Sequence, residues 1–268
     1  MTANMAKFIS VAWEAAKTAG GLLRESWQQP KEIGYKNPVD LVTSIDRESE
    51  RTIVKILQRT FPTHSILAEE ETTVTGHQGN HRWIIDPLDG TTNFAHSYPH
   101  FAISIALELD GQVVLGLVYD PLRRECFRAV KDRGATLNGR RLRISKSQAL
   151  DKSLLATGFP YDRRDHADEY LAFFRAFLVR TQGVRRNGSA ALDLCYVACG
   201  RIDGFWEAKL RPWDIAAGSL MITEAGGTLS DFSGNPFSIW GHETLASNGA
   251  IHGEMVSVTR AFASRPAR

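Results

Sequence analysis

Apolar residues recur at helical spacing through residues 5–28. Phe8, Val11, Ala15, Leu22 and Leu23 fall on one face there, which predicts an amphipathic helix. Asn37-Pro38 interrupts the chain ahead of the apolar–polar run 39-VDLVTSID-46. A second helix is predicted over 45–60, stopping before Pro62. The run 64-HSILAEE-70 reads as a short strand ending in acid, and the polar, glycine-containing 71-ETTVTGHQGNH-81 as a mobile loop. A strand follows over 82–86, then a strand pair at 101–109 and 112–119 about Asp110-Gly111. More antiparallel strands are predicted within 124–145, turning at Asn138-Gly139.

Beyond about residue 150 strands and helices alternate, as in layered α/β folds. A strand at SLLATG precedes a long helix over 165–181 and a second helix over 189–199; a strand over 202–207 leads into a helix from Asp214 to Ala225. The change of pattern divides the chain into an N-terminal part, 1–148, and a C-terminal part, 149–268. No linker composition marks the boundary, so the two are expected to form one compact unit.

Composition narrows the classes. Of 268 residues, 43% are hydrophobic and 23% charged, ordinary for a globular protein with a sizeable core. A net charge of +2 is too small to imply nucleic acid by itself. No run of about 18 apolar residues predicts a membrane span. MTANMAKFIS has no apolar signal core, so export is not expected. Three cysteines, Cys126, Cys195 and Cys199, suit a reducing cytoplasm better than a disulfide framework. Cys195 and Cys199 lie four apart on one helical face and are read as core packing.

The chemistry concentrates in 83-WIIDPLDGTTNF-94. Pro87 removes a ladder donor and is predicted to end the strand just after Asp86. Asp86, Asp89 and the Leu88 carbonyl are then oxygen donors of the kind hard divalent cations take, and a cation would remove the repulsion between the two carboxylates. Gly90-Thr91-Thr92 reads as a helix start, with threonine as cap and free amides available to a phosphate. Other acids also border elements: Glu69 and Glu70 end ILAEE, Asp46 follows LVTSI, and Asp214 opens the helix after Pro212-Trp213. An aspartate before a helix is ordinarily a cap and Asp-x-x-Asp-Gly ordinarily a turn; the joint occurrence in this order carries the metal reading.

The set AEE at 68–70, DPLDGTTNF at 86–94 and WDIAAG at 213–218 resembles the inositol monophosphatase family, within the magnesium-dependent, lithium-sensitive phosphatases that include fructose-1,6-bisphosphatase. VDLVTSID, GSAALDLCYVACGRIDGFWE, LRPWD and TEAGG match in the same order, so the resemblance spans nearly the whole chain. It implies an α+β fold, a layered α-β-α-β-α sandwich, and two to three Mg²⁺ per active site. By this resemblance Glu69, Asp86 and the Leu88 carbonyl hold a first metal, Asp86, Asp89 and Asp214 a second, and Glu69 contributes to a third. Asp46 and Thr91 would position and activate the attacking water, and the Gly90 and Thr91 amides would bind phosphate. Asp89, Ala190, Glu207 and Asp214 match positions that contact inositol hydroxyls; Glu70 stands behind the ligands and Lys36 on a closing loop. A homodimer with contacts near the small-residue helix 189–199 is also implied.

The implied reaction is hydrolysis of a phosphate monoester by a water held near Thr91 and Glu69, with Glu69, Thr91 and Asp46 as the catalytic residues and no phosphoenzyme. His96 and His100 are read as packing or surface residues. Alternative substrates are histidinol phosphate, 3′-phosphoadenosine 5′-phosphate, fructose 1,6-bisphosphate and NADP. A non-enzymatic alternative is a transcription-associated protein, for which seven basic residues between 128 and 146 offer a surface; the plainer reading of that run is a solvated sheet face.

Overall fold

A computed structural model describes residues 3–29, 33–37, 40–76 and 80–263. The first half runs α1 (Ala3–Ser26), β1 (Ile33–Asn37), β2 (Asp40–Thr43), α2 (Ser44–Thr60), β3 (Ser65–Ala68), β4 (Thr73–Val74), β5 (His81–Asp89), α3 (Thr91–Ala95), β6 (Ala102–Leu109), β7 (Gln112–Asp120), β8 (Glu125–Val130), β9 (Gly134–Leu137) and β10 (Arg140–Arg141). After a 3₁₀ turn at Leu150–Lys152 come β11 (Leu154–Thr157), α4 (Ala167–Leu178), β12 (Gly183–Arg185), α5 (Ala190–Ala198), β13 (Gly204–Ala208), α6 (Pro212–Ala225), β14 (Thr228–Ser230), β15 (Glu243–Ser247) and α7 (His252–Ala263).

Strands β3 to β10 form one eight-stranded sheet in the order β10-β9-β8-β7-β6-β5-β3-β4, antiparallel except where β3 lies parallel to β5. A five-stranded mixed sheet, β12-β11-β13-β15-β14, is built by the second half. β1 and β2 make a separate hairpin.

Three apolar clusters explain the stacking. Leu23 on α1 and Ile53 and Leu57 on α2 pack with Trp83, Ile85 and Ile105 on one face of the large sheet. On the opposite face Ile84, Ala106, Val118 and Phe127 meet α5 and α6, whose other sides reach Ala156, Phe205 and Ala246 of the small sheet. Beyond that sheet, Phe177 on α4 and Met255 and Val256 on α7 cover Leu155, Trp206 and Leu245. The order is therefore helix, sheet, helix, sheet, helix, as the resemblance implies. α5 and α6 lie close together because Gly218 has no side chain: a Cβ there would stand 2.6 Å from Leu194 Cβ. Cys195 is buried in this middle layer, with Cys199 packed against it.

Several boundaries differ from expectation. β5 does not stop at Asp86. It continues through Pro87 to Asp89 by a bulge, pairing Asp86 with Ser104 and then Asp89 with Ala102. A bulge leaves residues out of the ladder, so the missing proline donor costs nothing. α6 starts two residues before Asp214, with Pro212 in the first turn, where its absent N–H is no loss. The expected loop 71–81 contains the two-residue β4, paired with β3, and its residues 77–79 lie outside the described ones. β12, β14, β15 and α7 were not legible, being short or weakly periodic. Among the described residues no helix is long and apolar enough to cross a membrane.

Candidate active site

Parallel pairing brings the ends of β3 and β5 together. The Glu69 amide donates to the Ile85 carbonyl at 3.2 Å, which sets Glu69 beside Asp86. In the bulge the Leu88 amide donates to Asp86 Oδ1 at 2.9 Å, and Ser49 on α2 donates to the Pro87 carbonyl at 2.8 Å. Gly90 follows with φ +98°, and a Cβ would lie 3.0 Å from the His100 carbonyl, so glycine is required for the chain to turn into α3. Gly90, not a threonine, is the N-cap residue of this five-residue helix. The Thr91 hydroxyl is committed elsewhere, 2.8 Å from Asp46 Oδ1 and 3.1 Å from the Leu88 carbonyl, with one proton to give. Asp46 is fully buried at the third position of α2, and its other oxygen accepts from the Thr43 amide at 2.9 Å and from the Thr43 hydroxyl.

The second half supplies the opposite wall. Asp89 Oδ2 accepts from the Ser189 hydroxyl at 2.5 Å and from the Ala191 amide at 2.8 Å, both at the start of α5. Asp214, in the first turn of α6, accepts from the Arg211 amide at 2.6 Å. Glu207, near the end of β13, lies against Gly158: a Cβ on that glycine would fall 2.1 Å from Glu207 Oε2. Glu69, Asp89, Gly90, Thr91, Ala190, Glu207 and Asp214 line one open cleft of about 820 Å³. Asp86 lies beneath it, 1% exposed.

Burial and crowding dominate the electrostatics. Burial, then the charges of Glu69, Asp89 and Asp214, hold Asp86 well above the ordinary carboxylate range. Asp214 is raised similarly, by burial and then Glu69. Burial lifts Asp89 to about 6 against the opposing hydrogen bonds from Ser189 and Ala191. Deeper in the cleft, burial pushes Glu207 and Asp193 each up to about 8. Asp86, Asp89 and Asp214, each raised by burial and by the neighbouring Glu69 charge, form with Glu69 and the Leu88 carbonyl a donor set without histidine or thiol, suited to a hard cation whose charge reverses their repulsion. Among the described residues no three acidic, histidine or cysteine side chains close around one point; the fit rests on donor chemistry and mutual repulsion.

Not every expected residue faces the cleft. Glu70 is half-buried and does not line it; its amide donates to Glu50 Oε2 at 2.8 Å. Lys36 lies on β1, and its side chain is outside the described residues. His96 is exposed; His100 is buried behind the Gly90 turn, edge-on to Tyr196, and burial lowers it to about 4. Three residues of consequence escaped the sequence reading. Glu50 accepts the amides of Glu70, Glu71 and Thr72 and the Thr72 hydroxyl, which clamps the turn carrying Glu69. Ser189 orients Asp89, and Asp193 lines the cleft. Serine before an alanine-rich helix is a legible cap signal; nothing local marks the other two.

This fold and acidic cleft define a metal-dependent phosphatase. The chain belongs to the inositol monophosphatase family, whose sequence profile matches residues 4–263. It is 45% identical over 255 residues to Nus factor SuhB of Pseudomonas aeruginosa, covering 93% of this chain and 92% of the relative. It is 44% identical over 264 residues to inositol-1-monophosphatase of Synechocystis, covering 98% and 91%. The structure of inositol monophosphatase from Anabaena superposes with a TM-score of 0.87 at 43% identity, covering 96% of this chain and 97% of that one.

Proposed function

We propose that this protein hydrolyses inositol monophosphates to myo-inositol and phosphate with Mg²⁺. The observation that carries the reading is the convergence of Glu69, Asp89, Thr91, Glu207 and Asp214 on one cleft above buried Asp86. Glu69, Asp86 and the Leu88 carbonyl would hold one Mg²⁺, Asp86, Asp89 and Asp214 a second, and Glu69 would contribute to a third. Bound Mg²⁺ supplies the Lewis acidity that makes water a nucleophile near neutral pH and offsets phosphoryl charge. Thr91, fixed by Asp46 at 2.8 Å, positions that water and accepts its proton for relay to Asp46. The Gly90 and Thr91 amides receive the phosphate oxygens. Asp89, Ala190, Glu207 and Asp214 face the leaving group, where Glu207, held protonated to about pH 8, can donate to a polyol hydroxyl. The protein acts in the cytoplasm as a homodimer on this reading.

Steady-state phosphate release tests it. Inositol 1-phosphate should exceed histidinol phosphate, 3′-phosphoadenosine 5′-phosphate, fructose 1,6-bisphosphate and NADP in kcat/KM, with turnover lost in EDTA. Asp86→Asn should lower kcat by roughly 10²–10³-fold, the scale of removing a preorganised electrostatic group; normal turnover in that variant sinks the scheme. A second reading, association with a transcription complex, is favoured by the similarity to Nus factor SuhB and by Arg140 and Arg141, exposed on the terminal strand of the large sheet. Salt-dependent RNA or polymerase binding that survives Asp86→Asn would support it.

A further inference from the structure

Residues 158–166, between β11 and α4, form the outer lip of the cleft, which Phe159, Tyr161, Asp162 and Arg163 line. Behind that lip is a second cavity of about 290 Å³, walled by Tyr170, Phe173, Trp206, Phe232 and His242. Gly158, Phe159 and Pro160 from the lip, with Glu207, Ala208 and Lys209 from the end of β13, face both spaces. Two segments of chain are thus the partition between an acidic phosphate cleft and an aromatic cavity.

One polar cluster braces the partition at its outer end. Lys209 Nζ donates to Asp162 Oδ2 at 2.5 Å and lies 3.1 Å from Tyr170 Oη, while Tyr170 donates to Asp162 Oδ1 at 2.7 Å. The three residues come from the lip, from α4 and from the chain after β13, so each bond crosses between segments. Asp162 also receives the ends of the lip's turns: the amides of Asp165 and His166 donate to its carbonyl at 3.0 and 3.2 Å. Hydrogen bonds to Asp162 and Tyr170 hold the Lys209 ammonium above the usual lysine range.

The cluster is poorly placed to serve stability. The Lys209 side chain is 50% exposed and that of Asp162 34%, and exposed ion pairs stabilise a fold little. Lys209 also adopts φ +62°, a left-handed conformation that is costly without glycine. A strained lysine in a weak ion pair makes sense where position matters more than free energy. We propose that Asp162, Lys209 and Tyr170 form a latch that selects the leaving group: fastened, it keeps the cleft shut off from the aromatic cavity; released, it lets the partition move so that this cavity admits the base of a nucleoside phosphate. Phe159, Tyr170 and Phe173, each half-buried on its wall, offer the aromatic surface such a base would meet. This inference rests on the phosphatase reading of the cleft.

The test compares the full-length wild type with Lys209→Met, Tyr170→Phe and Lys209→Arg, using inositol 1-phosphate and adenosine 2′-monophosphate. Opening the latch should raise KM for inositol 1-phosphate about tenfold at nearly unchanged kcat and raise kcat/KM for the nucleotide about tenfold, the discrimination a pocket wall ordinarily supplies. Lys209→Arg keeps a cation in reach of Asp162 and should behave like wild type. Adenosine, which cannot be hydrolysed, should bind the Lys209→Met protein about tenfold more tightly by calorimetry. Unchanged substrate preference and unchanged adenosine binding in both latch-opening variants overturn the latch, as does a Lys209→Arg protein that shifts as far as Lys209→Met. Absence of phosphate release from the wild type overturns the hydrolase reading instead, and the adenosine measurement then decides the latch alone.

Discussion

Asp193 is 1% exposed, accepts from the Asn187 side-chain amide at 2.7 Å, and is pushed by burial up to about 8. An unfolded aspartate titrates near 3.9. Between those values the native protein keeps a proton that the unfolded chain has lost, so stability falls as pH rises through the window and is lowest above it. Asp193→Asn removes this contribution, a slope of up to about 1.4 kcal/mol per pH unit. The thermal midpoints of the variant at pH 5 and pH 8, measured in EDTA, should therefore lie closer together than those of the wild type; an equal spacing would show that Asp193 ionises freely in the fold. Residues such as Asp86, Asp89 and Asp214 were legible in the sequence because each borders an element or turn within a few positions of a proline or glycine. Asp193 was not, because it sits inside an apolar helix where only the packed structure shows that it reaches the cleft. Ser189 and Asp89 are separated by 100 residues, and no local pattern announces such a bond.

At the scale of elements, the turns that carry the proposed metal ligands are held by other elements rather than by their own sequence. Glu50 projects from α2 and collects three backbone amides of the turn after β3. Hydrogen bonds to a charged group contribute about 1.5–3 kcal/mol each where well formed, so Glu50→Ala should destabilise the protein by roughly 3 kcal/mol and release Glu69 from its place. The expected result is a lowered melting temperature together with a higher Mg²⁺ concentration for half-maximal activity; a destabilised variant with the wild-type Mg²⁺ requirement would separate the clamp from the site. The bulge at Pro87 follows the same logic, tied to α2 by Ser49. Helix spacing made α1, α2 and α5 readable, and Asp110-Gly111 and Asn138-Gly139 fixed their hairpins. β12, β14 and β15 are three to five residues long, too short for periodicity to register, and are defined by the strands they pair with. The basic run 128–146 that suggested a polyanion surface passes through β9 and β10, where exposed Arg140 and Arg141 also discourage another strand from extending the sheet.

For the whole molecule, the cleft draws on both sheets and on α3, α5 and α6, so the parts before and after residue 148 are proposed to unfold together. A single calorimetric transition whose van't Hoff and calorimetric enthalpies agree is expected, and two separable transitions would count against it. Cations that bind only the folded cleft must raise its stability by about 2.7 kcal/mol at a hundredfold excess over Kd, or roughly 5–10 °C in a chain of this size. Mg²⁺ should produce that rise after EDTA treatment, and Asp86→Asn should abolish it. The Asp89 bonds to Ser189 and Ala191 carry a further consequence for biosynthesis. A ribosome that has released the large sheet has already delivered Glu69, Asp86 and Asp89 but none of the groups that orient Asp89. The nascent chain therefore exposes a half-built acidic site until α5 and α6 emerge, and only then are those repelling carboxylates assembled into the proposed cation centre.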